Sequence, residues 1–266
     1  MQLDVRQLAL LRPGEGETIT DRPARTVRIL AMHKHLDVTW SRYEPGERGP
    51  DPHVHREHVD AFFVIEGELE FGLGPKVERV RALAGSLVLV PPDVVHTFAN
   101  EGDAAALFLN FHAPGKGFAG SLRARRDRRE VDGRLFDSFD PPADGGHDAA
   151  DALVLGPAEG ELFDRGNRVL VIKADTPQLS AFDLTFGLGW EGVGPHRHAD
   201  HTDSFFVLEG EVEFIAEESR ALAGPGVWVW APPGAVHGFR NPGTGRIRLL
   251  NVHAPETGFA ESIRGG

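Results

Sequence analysis

The chain has 266 residues, 41% of them apolar and 26% charged, enough for a well-formed core in one or two domains. A formal net charge of −12 argues against nucleic acid as a partner, and the absence of cysteine excludes disulfides, thiolate metal sites and a cysteine nucleophile. No apolar run approaches the roughly 18 residues of a membrane span, and the N-terminus lacks a basic-then-apolar secretory pattern, so no membrane partner and a cytoplasmic location are expected.

Glycine (32) and proline (19) are both abundant, which favours many short strands joined by tight turns. Residues 1–12 are expected to form an edge strand or arm, laid against the second copy of the repeat described below. Leu36, Val38 and Trp40 then alternate with Asp37, Thr39 and Ser41, the period-2 pattern of a strand. His53-x-His55 places two imidazoles on one strand face, about 7 Å apart, where they can close on one ion. Phe62, Val64 and Glu66 alternate with Ala61, Phe63 and Ile65. Gly85 precedes the strand Ser86–Val90, and Pro91-Pro92 turns the chain. His96, Phe98 and Asn100 share a face, as do Ala106, Phe108, Asn110 and His112. A short helix is predicted within Phe118–Arg129. The basic cluster Arg123, Arg125, Arg126, Arg128 and Arg129 reads as a solvated connector, with an anion-binding patch as the alternative. Residues 140–146 (DPPADGG) have linker composition, and Phe136 and Phe139 just upstream are expected to pin it to the surface.

The series then repeats. Arg25/Arg168, Ile29/Ile172, His53/His196, His55/His198, His58/His201 and Gly67/Gly210 keep one offset of 143. Two residues are lost in the next hairpin, and His96/His237, Asn110/Asn251, His112/His253 and Ser121/Ser262 continue at 141. Ten of the thirteen histidines fall into five such pairs. Many short strands with little helix point to a barrel or sandwich in each copy.

The motifs His53-x-His55-x4-Asp60-x6-Gly67 and Gly85-x5-Pro91-x-Asp93-x2-His96-x3-Asn100 resemble those of the cupin family, with Asp60 in place of Glu and Asp93 in place of Gly. The opening glycine, Gly46 or Gly49, is less well spaced. In the second copy Gly226-x5-Pro232-x-Gly234-x2-His237-x3-Asn241 matches throughout. The chain is thus similar to a two-domain bicupin. That implies an all-β fold of two tandem antiparallel jelly-roll barrels with short connecting helices: residues 1–122, a linker 123–152, and residues 153–266.

The resemblance further implies a divalent ion in each barrel, held by His53, His55, Asp60 and His96, and by His196, His198, Asp203 and His237. Imidazole and carboxylate suit Fe, Mn, Ni, Co, Zn or Cu, and four protein ligands leave open positions for water, dioxygen or a chelating substrate. Asp is roughly 1.3 Å shorter in reach than Glu, while metal–ligand distances tolerate only about ±0.2 Å. Asp60 and Asp203 are therefore ligands or outer partners, and in the latter case His58 and His201 contribute instead. His112 and His253 are structural hydrogen-bonding groups at the barrel mouth or, in the other reading, catalytic acid/base groups. Phe62, Val64 and Phe98, with Phe205, Val207 and Phe239, read as core. Should they line a cavity, the substrate would be aromatic or hydrophobic. Trp228 and Trp230 read as packing.

The function implied first is a metal-dependent dioxygenase of the quercetinase-like kind acting on a small molecule. A metal-assisted isomerase, decarboxylase or lyase, and a non-catalytic small-molecule-binding bicupin, are the alternatives; a homodimer is compatible with each.

Overall fold

A computed structural model describes residues 7–129, 136–243 and 245–265. Residues 1–6 of the expected arm and 130–135 of the expected linker lie outside the described residues. The structure is mostly β, with four antiparallel sheets and two short helices, Phe118–Arg126 and Phe259–Gly265. Contacts group the chain into two units, residues 16–159 and residues 1–15 with 160–266.

In the unit 16–159 a seven-stranded sheet has the order Leu153–Leu155, Leu87–Val90, Val59–Glu66, Ala106–Ala113, Leu36–Tyr43, Arg25–His33, Glu17–Arg22. A three-stranded sheet, Glu78–Leu83, Glu68–Leu73 and His96–Ala99, completes it. The other unit repeats the plan. Its larger sheet runs Ala9–Leu11, Trp228–Ala231, Thr202–Glu209, Ile247–Ala254, Ser180–Phe186, Arg168–Asp175, Glu161–Asp164. Its smaller sheet is Val193–His196, His237–Arg240, Val212–Ile215 and Arg220–Ala223. The hairpin strands Glu68–Leu73 and Glu78–Leu83 have six residues each and their counterparts four, and one added residue on either side of the shorter hairpin leaves the net change of two in the offset.

The contact units do not follow the boundaries 1–122, 123–152 and 153–266. Ala9–Leu11, from the start of the chain, pairs with Trp228–Ala231, as the arm reading anticipates. Leu153–Leu155 pairs with Leu87–Val90. Each copy thus gives its leading edge strand to the unit built mainly from the other copy. Pairing beside Trp228 and Trp230, both 1% exposed, buries them as packing.

Apolar strand residues make each core. Phe62, Phe71, Phe98 and Phe108 cluster in one unit, with the Phe62 and Phe98 rings 4.9 Å apart. Phe182, Phe205, Phe214 and Phe239 cluster in the other. At about 1.5–3 kcal/mol for each buried large apolar side chain, these rings stabilise the units without help from the histidines. Glycine is needed where each long strand ends. Gly67 and Gly210 sit at φ 71° and 76°, and a Cβ there would lie 2.5 and 2.3 Å from the carbonyl oxygens of Ala105 and Arg246.

Candidate metal centre

The second cupin-like motif works as a clamp on the first. Asn100 Nδ2 donates to the carbonyls of Tyr43 (2.9 Å) and Ala104 (2.8 Å), and Asn241 ties Gly187 and Gly245 in the same way. The tight turn before His96 points the Asp93 amide at the His55 carbonyl, 2.7 Å away, and Gly234 does the same for His198. Asp93 takes the left-handed conformation there, φ 63°, in place of the glycine used at 234. A two-way backbone bridge joins His53 to His96. His55 and His198 lie beyond the strand geometry expected for the His-x-His pair: His53 is in an isolated bridge and His196 ends the strand Val193–His196. The turn amides, rather than strand alternation, aim the second imidazole of each pair.

The donor atoms of His53, His55, Asp60 and His96 all lie within 4.8 Å of one another, as do those of His196, His198, Asp203 and His237. The shorter aspartate reaches the centre of each cluster. Asp60 Oδ2 is 3.3 Å from His96 Nε2 and 3.6 Å from His55 Nε2, and Asp203 Oδ2 is 3.0 and 3.7 Å from His237 and His198. Its other oxygen is anchored: Asn110 Nδ2 donates to Asp60 Oδ1, and Asn251 Nδ2 donates to Asp203 Oδ1 at 2.6 Å.

The Nδ1 atoms face outward onto backbone carbonyls. His53 donates to Asp51 (2.9 Å), His55 to Asp137 (2.5 Å) and His96 to Val94 (3.0 Å). His196 and His237 donate to Gly194 and Ala235. With Nδ1 protonated in this way, each ring turns the Nε2 lone pair toward the cluster, the tautomer a metal ligand needs. His55 Nε2 is buried and has no hydrogen-bond partner. A buried acceptor without a partner is costly, and a cation at the focus of the four donors would satisfy it. The residues fit a divalent ion on this test.

The electrostatics agree. Burial pushes His53 down to about 3, helped by the neighbouring His96 and His55, and also lowers His196. Burial works to raise the Asp60 carboxyl, but His112, His55 and His96 around it hold it well below the usual carboxylate range. Asp203 is held down likewise against burial, by His253, His198 and His237. At His237 burial is outweighed by Asp203, which raises the imidazole; His53 and His196, kept neutral beside an ionised carboxylate, are in the state that binds metal.

His58 stands behind the first cluster. Its Nδ1 donates to Asp137 Oδ2 (2.8 Å), and its Nε2 lies 2.9 Å from His112 Nδ1. His112 Nε2 sits 3.0 Å from Asn110 Oδ1 and 3.6 Å from Asp60 Oδ1. The donor atoms of His55, His58 and His112 also meet within 4.8 Å, so these three form an overlapping cluster. In the other unit His253 Nε2 contacts Asp203 Oδ1 at 3.2 Å, and His201 Nε2 is buried without a partner.

Sequence reasoning missed Phe136 and Asp137. Phe136, expected to pin the linker to the surface, is 7% exposed and packs on His55, His58 and His112, with ring centroids 5.2–5.4 Å away. Asp137 accepts from the His55 and His58 rings and from the amides of Arg56 (3.1 Å) and Glu57 (2.7 Å). The basic connector is helical as far as Arg126 and solvated as expected, with Arg125, Arg126, Arg128 and Arg129 exposed. Arg123 and Arg126 pair with Glu17, and Arg125 reaches a cavity.

Each cluster opens into a cavity, of about 480 Å³ in the unit 16–159 and about 300 Å³ in the other. Phe98 and Phe239 line these cavities, while Phe62 and Val64 are buried in the core cluster away from the lining. The expected apolar lining describes the second cavity better than the first, where Thr39, Ser41 and Asn110 contribute.

Comparison with known proteins settles the family. The chain matches the cupin domain family twice, over residues 39–112 and 183–253. It belongs to the cupins, as a bicupin. Quercetin 2,3-dioxygenase of Bacillus subtilis (strain 168) is 22% identical over 265 aligned residues, covering 87% of this chain and 78% of that protein. Among solved structures, the putative glyoxylate-induced protein of Pseudomonas aeruginosa superposes with a TM-score of 0.64 at 15% identity, covering 92% of this bicupin and 88% of that chain. A variant of Bacillus subtilis oxalate decarboxylase superposes with a TM-score of 0.60 at 13% identity, covering 93% and 77%. Likeness at these identities shows the fold alone. Among the described residues, no helix is long and apolar enough to cross a membrane.

Proposed function

We propose that this bicupin is a metal-dependent enzyme acting on a small molecule, with dioxygenase chemistry of the quercetinase kind. The observation that carries the reading is the four-donor cluster at each cavity, with the buried, unpartnered His55 Nε2 aimed into the first one. A divalent transition ion held by His53, His55, Asp60 and His96 would supply Lewis acidity and, if redox-active, access to dioxygen. The protein's own part is positional. Carbonyl-anchored Nδ1 atoms hold the imidazoles in one tautomer, and Asn110 holds the carboxylate. His112, buried between His58 and Asp60, is placed to hold or pass a proton near substrate, and its counterpart His253 lines the second cavity. Phe98, Phe108 and Phe118 give the first cavity its apolar wall.

The test is metal analysis of protein purified without chelators, followed by dioxygen uptake with a catechol or enediol probe. Bound Fe, Mn, Ni, Co or Cu with probe-dependent uptake supports the reading. Bound metal without uptake favours the isomerase, decarboxylase or lyase class, using the ion as a Lewis acid alone. Protein free of metal even after incubation with these ions refutes both.

A further inference from the structure

The two cavities are built on one plan, so each is a control for the other. Thr39, Ser41 and Tyr43 occupy successive inward positions of the strand Leu36–Tyr43 and line the first cavity. Register assigns their counterparts: Thr39 pairs with Asn110 and Phe182 with Asn251, Ser41 with Phe108 and Leu184 with Leu249. Tyr43 and Phe186 follow at the next inward position and differ by a single oxygen. At all three places the first unit has a hydroxyl and the second has none. Leu184 and Phe186 line the smaller cavity, and Phe182, fully buried, packs edge-on to Phe259 and His253.

The hydroxyls of Thr39, Ser41 and Tyr43 belong to residues 2%, 3% and 5% exposed, and none has a hydrogen-bond partner among the described residues. Reached from the cavity rather than sealed in the core, three hydroxyls along one wall above a metal-type cluster are free to pair with oxygens of a ligand. The space, about 480 Å³, is of ligand size.

We propose that the first cavity takes a polyoxygenated small molecule. One pair of its oxygens is directed to the ion, and its further hydroxyl or carbonyl groups pair with Thr39, Ser41 and Tyr43. The second cavity lacks this selection. The inference rests on the metal-dependent reading above and adds the residues that choose the ligand.

Calorimetric titration of zinc-loaded protein without oxygen tests it, with the second cluster disabled by His198→Ala. The probes are catechol, which can only chelate, and gallate, which carries additional oxygens. Gallate is expected to bind roughly tenfold more tightly than catechol, about what hydrogen bonds at this wall would give. The isosteric variant Thr39→Val/Ser41→Ala/Tyr43→Phe should bring that ratio close to one and leave catechol affinity unchanged. Should the triple variant not fold, Tyr43→Phe alone should lower the ratio about threefold. A ratio near one in the parent protein, or one that survives removal of the hydroxyls, overturns the ligand class while leaving the metal reading standing. Failure of both probes to bind zinc-loaded protein overturns the ligand class, whereas failure of the protein to take up zinc overturns the metal reading and the ligand class together.

Discussion

Asp137 holds the first cluster from outside, its carbonyl accepting from His55 and its carboxylate from His58 and the amides of Arg56 and Glu57, and no described residue does the same for His198. His198 is correspondingly more open, at 27% side-chain exposure against 2% for His55. Asp137→Ala is expected to weaken metal binding at the first cluster by roughly tenfold or more and to leave the second unchanged. Metal titration with single-cluster variants reads this directly. Protonation gives a second prediction, for the metal-free protein. Burial holds His53 at about 3, His58 at about 4 and His201 at about 3, below the ordinary 6.5. Between those values and 6.5 the unfolded chain binds protons that the native state refuses, so this contribution is full above pH 6.5 and is lost as pH falls toward 4. Asp37, raised by burial to about 7, works in the opposite direction: its contribution is present below pH 4 and lost as pH rises through 7. With three histidines set against one aspartate, the denaturant midpoint of metal-free protein should fall from pH 6.5 to 4.5. The paired histidines were legible because duplication exposed them, and the reach of Asp60 was resolved only by the coordinates. Asp137 was not legible, since no motif surrounds it and its contacts are made across about 80 residues of sequence.

Among elements, the turns that aim the histidines carry a measurable difference between the copies. Asp93 adopts φ 63° where Gly234 adopts φ 87°. A left-handed aspartate costs roughly 1 kcal/mol relative to glycine, so Asp93→Gly is expected to raise the melting temperature by about 2–4 °C. Gly67→Ala should do the reverse and more strongly, because the added Cβ meets the Ala105 carbonyl at 2.5 Å in a conformation alanine avoids. Thermal unfolding of both variants checks these signs. The strand pattern itself was readable from alternation in segments such as Leu36–Tyr43. Which face points into the cavity was not, since both faces of that strand are largely buried and the polar residues Thr39 and Ser41 face inward. The polar-out expectation fails where a wall serves a ligand.

On the scale of the whole chain, cutting at the repeat boundaries and cutting at the contact boundaries give different fragments. Residues 16–159 contain every strand of their two sheets together with Phe136 and Asp137. This fragment is expected to fold alone and bind one ion per chain, as seen by circular dichroism and elemental analysis. Residues 1–122 lack Leu153–Leu155, which leaves the strand Leu87–Val90 as an unpaired apolar edge, and that fragment should aggregate or unfold at lower denaturant. The similarity of LALLRPGEGE (8–17) to ALVLGPAEGE (152–161) is visible in the sequence. It shows that both copies begin with the same strand, but local pattern carries no information about which sheet that strand will join.

The exchange of leading strands also sets an order of assembly during synthesis. The larger sheet of the first unit cannot be finished until Leu155 has left the ribosome, well after the rest of that unit has emerged. Ala9–Leu11 must wait for Trp228–Ala231 and stay unpaired while the more than 200 residues between them are translated. A strand made before either unit is thus one of the last to find its place.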